Sequence, residues 1–284
     1  MNVSWTLPAI VVCAVGLCAP VPAVEPARAA VSTATSNVHV LTPLAMPGLD
    51  RRRTIRVYLP PGYAASHARY PVLYMHDGQN LFDAATSYAG EWNVDETLNR
   101  LARTRGLKLI VVGIDNGLDK RVTELNPWDS DEHGKGEGRQ YMEFLIHVVK
   151  PYIDAHYRTR PDRAHTAIMG SSLGGLISHF AICQYPRVFS KAGIFSPAYW
   201  YAPAVFEYAA SCRLPADTRI YFYAGGSENE HMVPDMQRAV ALVRKSGLPA
   251  NNVETRVDPA AAHNEAAWRA EFPRAVAWLY GVSP

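Results

Sequence analysis

The chain has 284 residues, 48% hydrophobic and 19% charged, which suits one globular domain with a sizeable core. Its 28 Lys and Arg against 26 Asp and Glu leave a net charge of +2, so nothing marks a nucleic-acid or membrane surface.

The N-terminal stretch differs in character from the rest. From Leu7 to Val24 there is no charged residue, and small residues lead to Ala27-Arg28-Ala29, an A-x-A cleavage pattern. Residues 1–29 are therefore expected to be a signal peptide, cut near Ala23 or Ala29, and the product exported to a periplasmic or secreted location. The n-region is atypical, since it has no Lys or Arg. Pro8, Pro20 and Pro22 break the apolar segment and argue against a membrane anchor. Cys13 and Cys18 would leave with the leader, while Cys183 and Cys212 remain. Export permits a disulfide between them, but Cys183 could equally be a small buried hydrophobe, and the pairing stays open. No Cys/His spacing resembles a zinc site.

Strand-like runs then recur along the chain: Val38 to Leu41, Thr54 to Leu59, Pro71 to Met75, Lys108 to Ile114, His165 to Met169, Lys191 to Phe195, Arg219 to Ala224 and Val253 to Val257. Helical patterns lie between them. They cover Val94 to Arg103, a run through Tyr141 and Ile153 that Pro151 should kink, Leu173 to Tyr185, Pro234 to Ser246 and Asn264 to Tyr280. From Pro71 onward strand and helix alternate, which predicts an α/β domain over 31–284. Its mostly parallel central sheet should carry helices on both faces and an antiparallel N-terminal edge. Arg51-Arg52-Arg53 is expected at a solvated hairpin end, and 129–139 as a mobile polar loop.

The most informative motif is Gly170-Ser171-Ser172-Leu173-Gly174. A G-x-S-x-G turn between a buried strand and a helix exposes its central serine at the sheet edge, which makes Ser172 a candidate nucleophile. The N–H that follows, that of Leu173, would face a developing oxyanion at a helix N-terminus. If the other members follow in the order acid then base, each after a strand, two segments qualify. Gly225 to Glu230 carries Glu228 and Glu230, of which Glu228 sits closer to the strand end and is preferred. His263 occupies the last loop, before a capped helix, and is the candidate base, with His231 as the runner-up. A second oxyanion donor is expected from the turn His76-Asp77-Gly78-Gln79-Asn80, where Gly78 allows close approach and the N–H of Gln79 complements that of Leu173. His76 and Asp77 have no matching ligands nearby in sequence, so no metal is expected there.

With these segments in place, the chain resembles the Putative esterase family of α/β hydrolases, a group that includes enterochelin-esterase-like proteins, S-formylglutathione hydrolases, feruloyl esterases and mycolyltransferases. The resemblance covers nearly all of the expected mature chain. It rests on His76 to Asp83, Gly170 to Gly175, Phe195 to Trp200, Tyr223 to Glu228 and His263-Asn264-Glu265. It implies the α/β-hydrolase fold and a serine esterase acting on a small-molecule ester, with Ser172, Glu228 and His263 as the triad and no cofactor. Acyl transfer to a sugar or lipid alcohol is the alternative, followed by a non-catalytic binding member of the fold. Trp92, Arg121, Trp128 and Trp200 are candidates for lining the substrate cleft; Arg121 could face a carboxylate or pair with Glu124.

Overall fold

The structure, a computed structural model, describes residue 1, residues 31–130 and residues 132–282. The expected leader and its cleavage sites lie outside the described residues. Among those described, no helix is long and apolar enough to cross a membrane.

Ten strands and eight α-helices build the domain. The strands are β1 (Val38–Val40), β2 (Leu44–Met46), β3 (Arg51–Arg53), β4 (Ile55–Tyr58), β5 (Val72–His76), β6 (Ile110–Ile114), β7 (Thr166–Ser171), β8 (Lys191–Phe195), β9 (Arg219–Gly225) and β10 (Val253–Asp258). The helices are α1 (Val94–Arg105), α2 (Arg121–Glu124), α3 (Gly138–Phe144), α4 (Lys150–His156), α5 (Leu173–Gln184), α6 (Ala204–Ser211), α7 (Met232–Lys245) and α8 (Glu265–Leu279). Eight strands form one sheet in the order β1-β4-β6-β5-β7-β8-β9-β10, and β2 pairs with β3 as a separate hairpin. The pairings β1–β4 and β4–β6 are antiparallel, and every pairing from β6 through β5 to β10 is parallel. The expected antiparallel edge on a parallel sheet is therefore present.

Because side chains alternate along a strand, each central strand feeds two cores. Val72 and Tyr74 of β5 face the larger one, with α3, α5, α6 and α7. Leu73 and Met75 face the other, with α1 and α8. Strands covered on both faces read as unbroken apolar runs, and all five residues of β5 and of β6 are buried.

One local expectation needs correction, and two other segments gain detail. Arg51 and Arg53 are not solvated: both reach the buried carboxylate of Glu124, and Arg51 also binds Glu137 at 2.6 Å. The long helix distorts just before Pro151, where 145–149 form a π-helical turn and Pro151 falls in the first turn of α4; a proline in the first turn has no N–H to leave unpaired. Within 129–139, Ser130 and Gly134 exchange backbone hydrogen bonds, and Gly138 opens α3.

Candidate active site

Ser172 sits where β7 turns into α5, with φ 58° and ψ −121°, a conformation non-glycine residues rarely adopt. Three backbone bonds hold the turn. Ser172 N donates to Phe195 O at 3.0 Å, and the Ser172 carbonyl accepts from Leu176 N and Ala198 N, each at 3.0 Å. The flanking glycine is obligatory on spatial grounds, since a Cβ on Gly170 would lie 2.8 Å from the Gly174 backbone. Leu173 is the first residue of α5, so its N–H has no intrahelical acceptor.

Glu228 and His263 meet beyond the ends of β9 and β10. His263 Nδ1 lies 2.6 Å from Glu228 Oε2, and the Glu228 side chain is fully buried. A carboxylate oxygen can only accept, so Nδ1 carries the hydrogen and Nε2 presents its lone pair. The other oxygen, Oε1, accepts from the Ser196 hydroxyl and from Gly225 N, both at 2.6 Å. Trp268 Nε1 donates to Ser196 Oγ at 2.9 Å, and the Trp268 ring meets that of His263 edge-on at 5.0 Å. The two loops are tied by Gly226 N to Asp258 O at 2.7 Å and Ser227 N to Ala261 O at 3.0 Å. By contrast, the exposed Glu230 faces His231 at 3.4 Å.

The turn after β5 supplies the opposite wall. Asp77 adopts the left-handed region (φ 57°) and accepts two bonds from Arg121, at 2.6 and 2.9 Å, and one from Asn116 Nδ2 at 2.6 Å. Burial would raise the Asp77 carboxyl, but Arg121 and Asn116 outweigh it and hold the group below its ordinary value. The Gln79 side chain is fixed by Asn116 N, which donates to its Oε1 at 3.0 Å. Its backbone N–H belongs to the first turn of a short 3₁₀ segment, Gly78–Asn80, and so lacks an intrahelical acceptor, as Leu173 does. His76 is buried with Nδ1 2.7 Å from the Tyr141 hydroxyl, and burial pushes its imidazole down to about 4.

Ser172, His263, Gln79, Trp92 and Arg121 all border one cavity of about 480 Å³. Trp268 and the exposed Tyr88 complete its apolar side. Trp92 is only 3% exposed and spends most of its surface on Phe195, Trp268 and Phe272. The expectation for the other two tryptophans is corrected. Trp128 packs edge-on against Phe180 and Tyr208 beside the larger core, and Trp200 lies on the surface against His133 and Tyr201. Neither borders the cavity. Arg121 pairs with Asp77 rather than Glu124, whose carboxylate is taken by Arg51 and Arg53.

The sequence gives no site role to Asn116, Ser196 or Trp268, and none to Asp77 beyond its place in the turn after β5. Their partners lie 32 to 72 positions away, so only the folded topology joins them. A weak signal existed for Ser196, which falls in the same strand-end position as the other site residues.

Residues 47–279 match the family described as Putative esterase. Among curated proteins, the chain is 27% identical over 243 residues to Uncharacterized protein YbbA of Bacillus subtilis, covering 81% of this chain and 93% of that one. It is 24% identical over 224 residues to an endo-1,4-beta-xylanase/feruloyl esterase of Xylanibacter ruminicola, covering 77% of this chain and 28% of that one. Among solved structures, the enterobactin esterase FES of Shigella flexneri superposes with a TM-score of 0.71 at 17% identity, over 86% of this chain and 58% of that one. The BES protein of Bacillus cereus gives 0.68 at 18% identity, over 86% and 95%. A family match spanning most of the chain, on a parallel sheet of this topology, means that the protein belongs to the Putative esterase family of α/β hydrolases.

Proposed function

We propose that the protein is a serine carboxylic-ester hydrolase working through an acyl-serine. The observation that carries this reading is the bond between His263 Nδ1 and the buried Glu228 carboxylate at 2.6 Å, on the rim of the cavity that Ser172 also borders. In this mechanism Nε2 of His263 takes the Ser172 proton as Oγ attacks the ester carbonyl. The Leu173 and Gln79 N–H groups stabilise the tetrahedral oxyanion, each such donor typically contributing roughly 3 kcal/mol. The imidazolium then protonates the leaving alcohol. Water, deprotonated by the same imidazole, resolves the acyl-serine. Glu228 holds the tautomer and stabilises the charged ring.

The substrate is proposed to be a small-molecule ester whose acyl part has an apolar body, because Met75, Tyr88, Trp92, Leu118 and Trp268 give the cavity an apolar wall beside the polar groups of Asn80, Asn116, Arg121 and Glu265. We further propose export. The uncharged leader supports it, and so does the Cys183–Cys212 disulfide, with its Cα atoms 5.4 Å apart, since such bonds persist in oxidising compartments.

Intact mass after incubation with a fluorophosphonate tests the mechanism. Wild type should gain one adduct, Ser172→Ala none, and His263→Ala the same adduct far more slowly. Labelling of a folded Ser172→Ala at the wild-type rate would overturn the assignment.

A further inference from the structure

Three carboxylates outside the catalytic machinery converge where the N-terminal segment crosses the start of α1. Glu91, Asp95 and Glu96 each place an oxygen within 4.8 Å of the others. Glu91 is 5% exposed and Asp95 fully buried. Glu91 Oε1, Asp95 Oδ1 and Glu96 Oε2 are buried atoms with no hydrogen-bond partner among the described residues. The remaining oxygens of the two buried groups are occupied by the N-terminal segment. Thr33 Oγ1 donates to Glu91 Oε2 at 2.9 Å, and Thr35 N and Oγ1 donate to Asp95 Oδ2 at 2.8 and 2.6 Å.

The positive end of a helix accounts for acids at positions such as Asp95 and Glu96. It accounts neither for Glu91, which precedes the helix, nor for three orphaned oxygens. The nearby Arg269 offers little relief, since its guanidinium donates to the Glu91 carbonyl and the Asn93 side chain rather than to a carboxylate. Buried anionic oxygens left together without a donor are costly, and the chemistry that satisfies them is a shared proton or a cation.

We propose that Glu91, Asp95 and Glu96 form a structural site for a divalent cation, calcium in preference to magnesium. The ligands are all oxygen, which selects hard cations over zinc or copper. The three oxygens all lie within 4.8 Å of one another, close enough to share one ion, and an irregular set of this kind suits calcium, which accepts flexible shells, better than magnesium, which demands a near-ideal octahedron and sheds water reluctantly. Water completes the shell on the side of Glu96, the most accessible of the three. Bound there, the ion fastens residues 33–35 and the 83–93 loop to α1. That loop carries Tyr88, Ala89 and Trp92 of the cavity wall, so the ion also firms one side of the active site.

The test is calorimetric titration of EDTA-treated protein with CaCl₂ and with MgCl₂, together with thermal unfolding. The expected result is one saturable calcium site and weaker magnesium binding. Calcium at a hundredfold excess over Kd should raise Tm by about 5–10 °C. Glu96→Gln, at the accessible ligand, should weaken calcium binding at least tenfold while leaving the fold intact, and Glu91→Gln should do the same. Absence of saturable binding, or wild-type affinity in both variants, overturns the proposal. So does a Glu96→Gln protein more stable than wild type both with and without calcium, because that is the behaviour of a shared proton rather than an ion.

Discussion

Replacing Glu228 by glutamine changes one oxygen to an amide and nothing in volume, yet the structure predicts a severe loss of turnover. Oε1 accepts from Gly225 N at 2.6 Å, and a backbone N–H can only donate. It also accepts the Ser196 hydroxyl proton, because the Ser196 oxygen itself accepts from Trp268 Nε1. In the variant the amide oxygen must take this position. The opposite orientation would press an NH₂ against the Gly225 N–H, a buried donor–donor clash costing about 1–3 kcal/mol. The NH₂ group therefore points at His263 Nδ1, which must become an acceptor. The imidazole then carries its hydrogen on Nε2 and cannot take the proton of Ser172. In a serine protease, the same change of tautomer costs about 10⁴ in kcat, equivalent to about 5 kcal/mol in the barrier.

The assay is kcat and KM for a short p-nitrophenyl ester, with Tm measured alongside. The expected outcome is a loss of about 10⁴ in kcat, little change in KM and a melting curve close to wild type. Glu230→Gln is the matched control and should behave as wild type, because Glu230 is exposed and touches only His231. A folded Glu228→Gln enzyme keeping more than a tenth of wild-type kcat would refute both the tautomer argument and the choice of acid.

Two further predictions concern stability. His76 and His179 are fully buried, and burial lowers each imidazole to about 4 from 6.5. Between those values the unfolded chain binds protons that the native state refuses. Stability is thus complete above about pH 6.5 and falls as pH drops toward 4, by about 3 kcal/mol for each group. Urea unfolding at pH 7 and pH 4.5 should show this, with a shallower loss in a His179→Gln variant; an unchanged pH dependence in that variant would refute its share. The Cys183–Cys212 disulfide joins the elbow helix α5 to the residue after α6 across a separation of 29 positions. Loop-closure entropy assigns such a link about 3–4 kcal/mol. Urea midpoints with and without a reductant strong enough to open it should differ accordingly, and coincident curves would show the bond to be energetically idle.

What was legible in the sequence was whatever the chain encodes locally. The position of Ser172 followed from a strand, two glycines and a helix in succession. The positions of Glu228 and His263 followed from the rule that such groups stand just past strand ends. Pairings that depend on crossovers were not legible. Arg121 had an acid three residues away in Glu124, but its partner is Asp77, 44 positions back, because α2 folds over the end of β5. Arg51 and Arg53 looked solvated because the carboxylate that neutralises them, Glu124, lies more than 70 positions on. A hairpin end is legible at Arg51 to Arg53, but the strands β2 and β3 are not, because three residues are too short to show alternation. The tryptophans divide for a related reason. An indole facing a cavity and one packed on a neighbouring helix have the same local sequence, so Trp92 and Trp128 could be separated only by the fold.

The segment after β8 deserves the same weight as the elbow in explaining how the site is held. Phe195 O accepts the Ser172 N–H, and Ala198 N donates to the Ser172 carbonyl, so this segment clamps both sides of the strained Ser172 backbone. Strain of that kind costs about 1–3 kcal/mol and persists only where the surroundings over-determine it. Between those two residues, Ser196 sits at φ 40°, bonds its N–H to Tyr223 O at 2.7 Å and aims its hydroxyl at Glu228. One four-residue turn thus fixes the serine through its backbone and the acid through a side chain. Ser172 and Glu228 are thereby tied by hydrogen bonds to the same short turn.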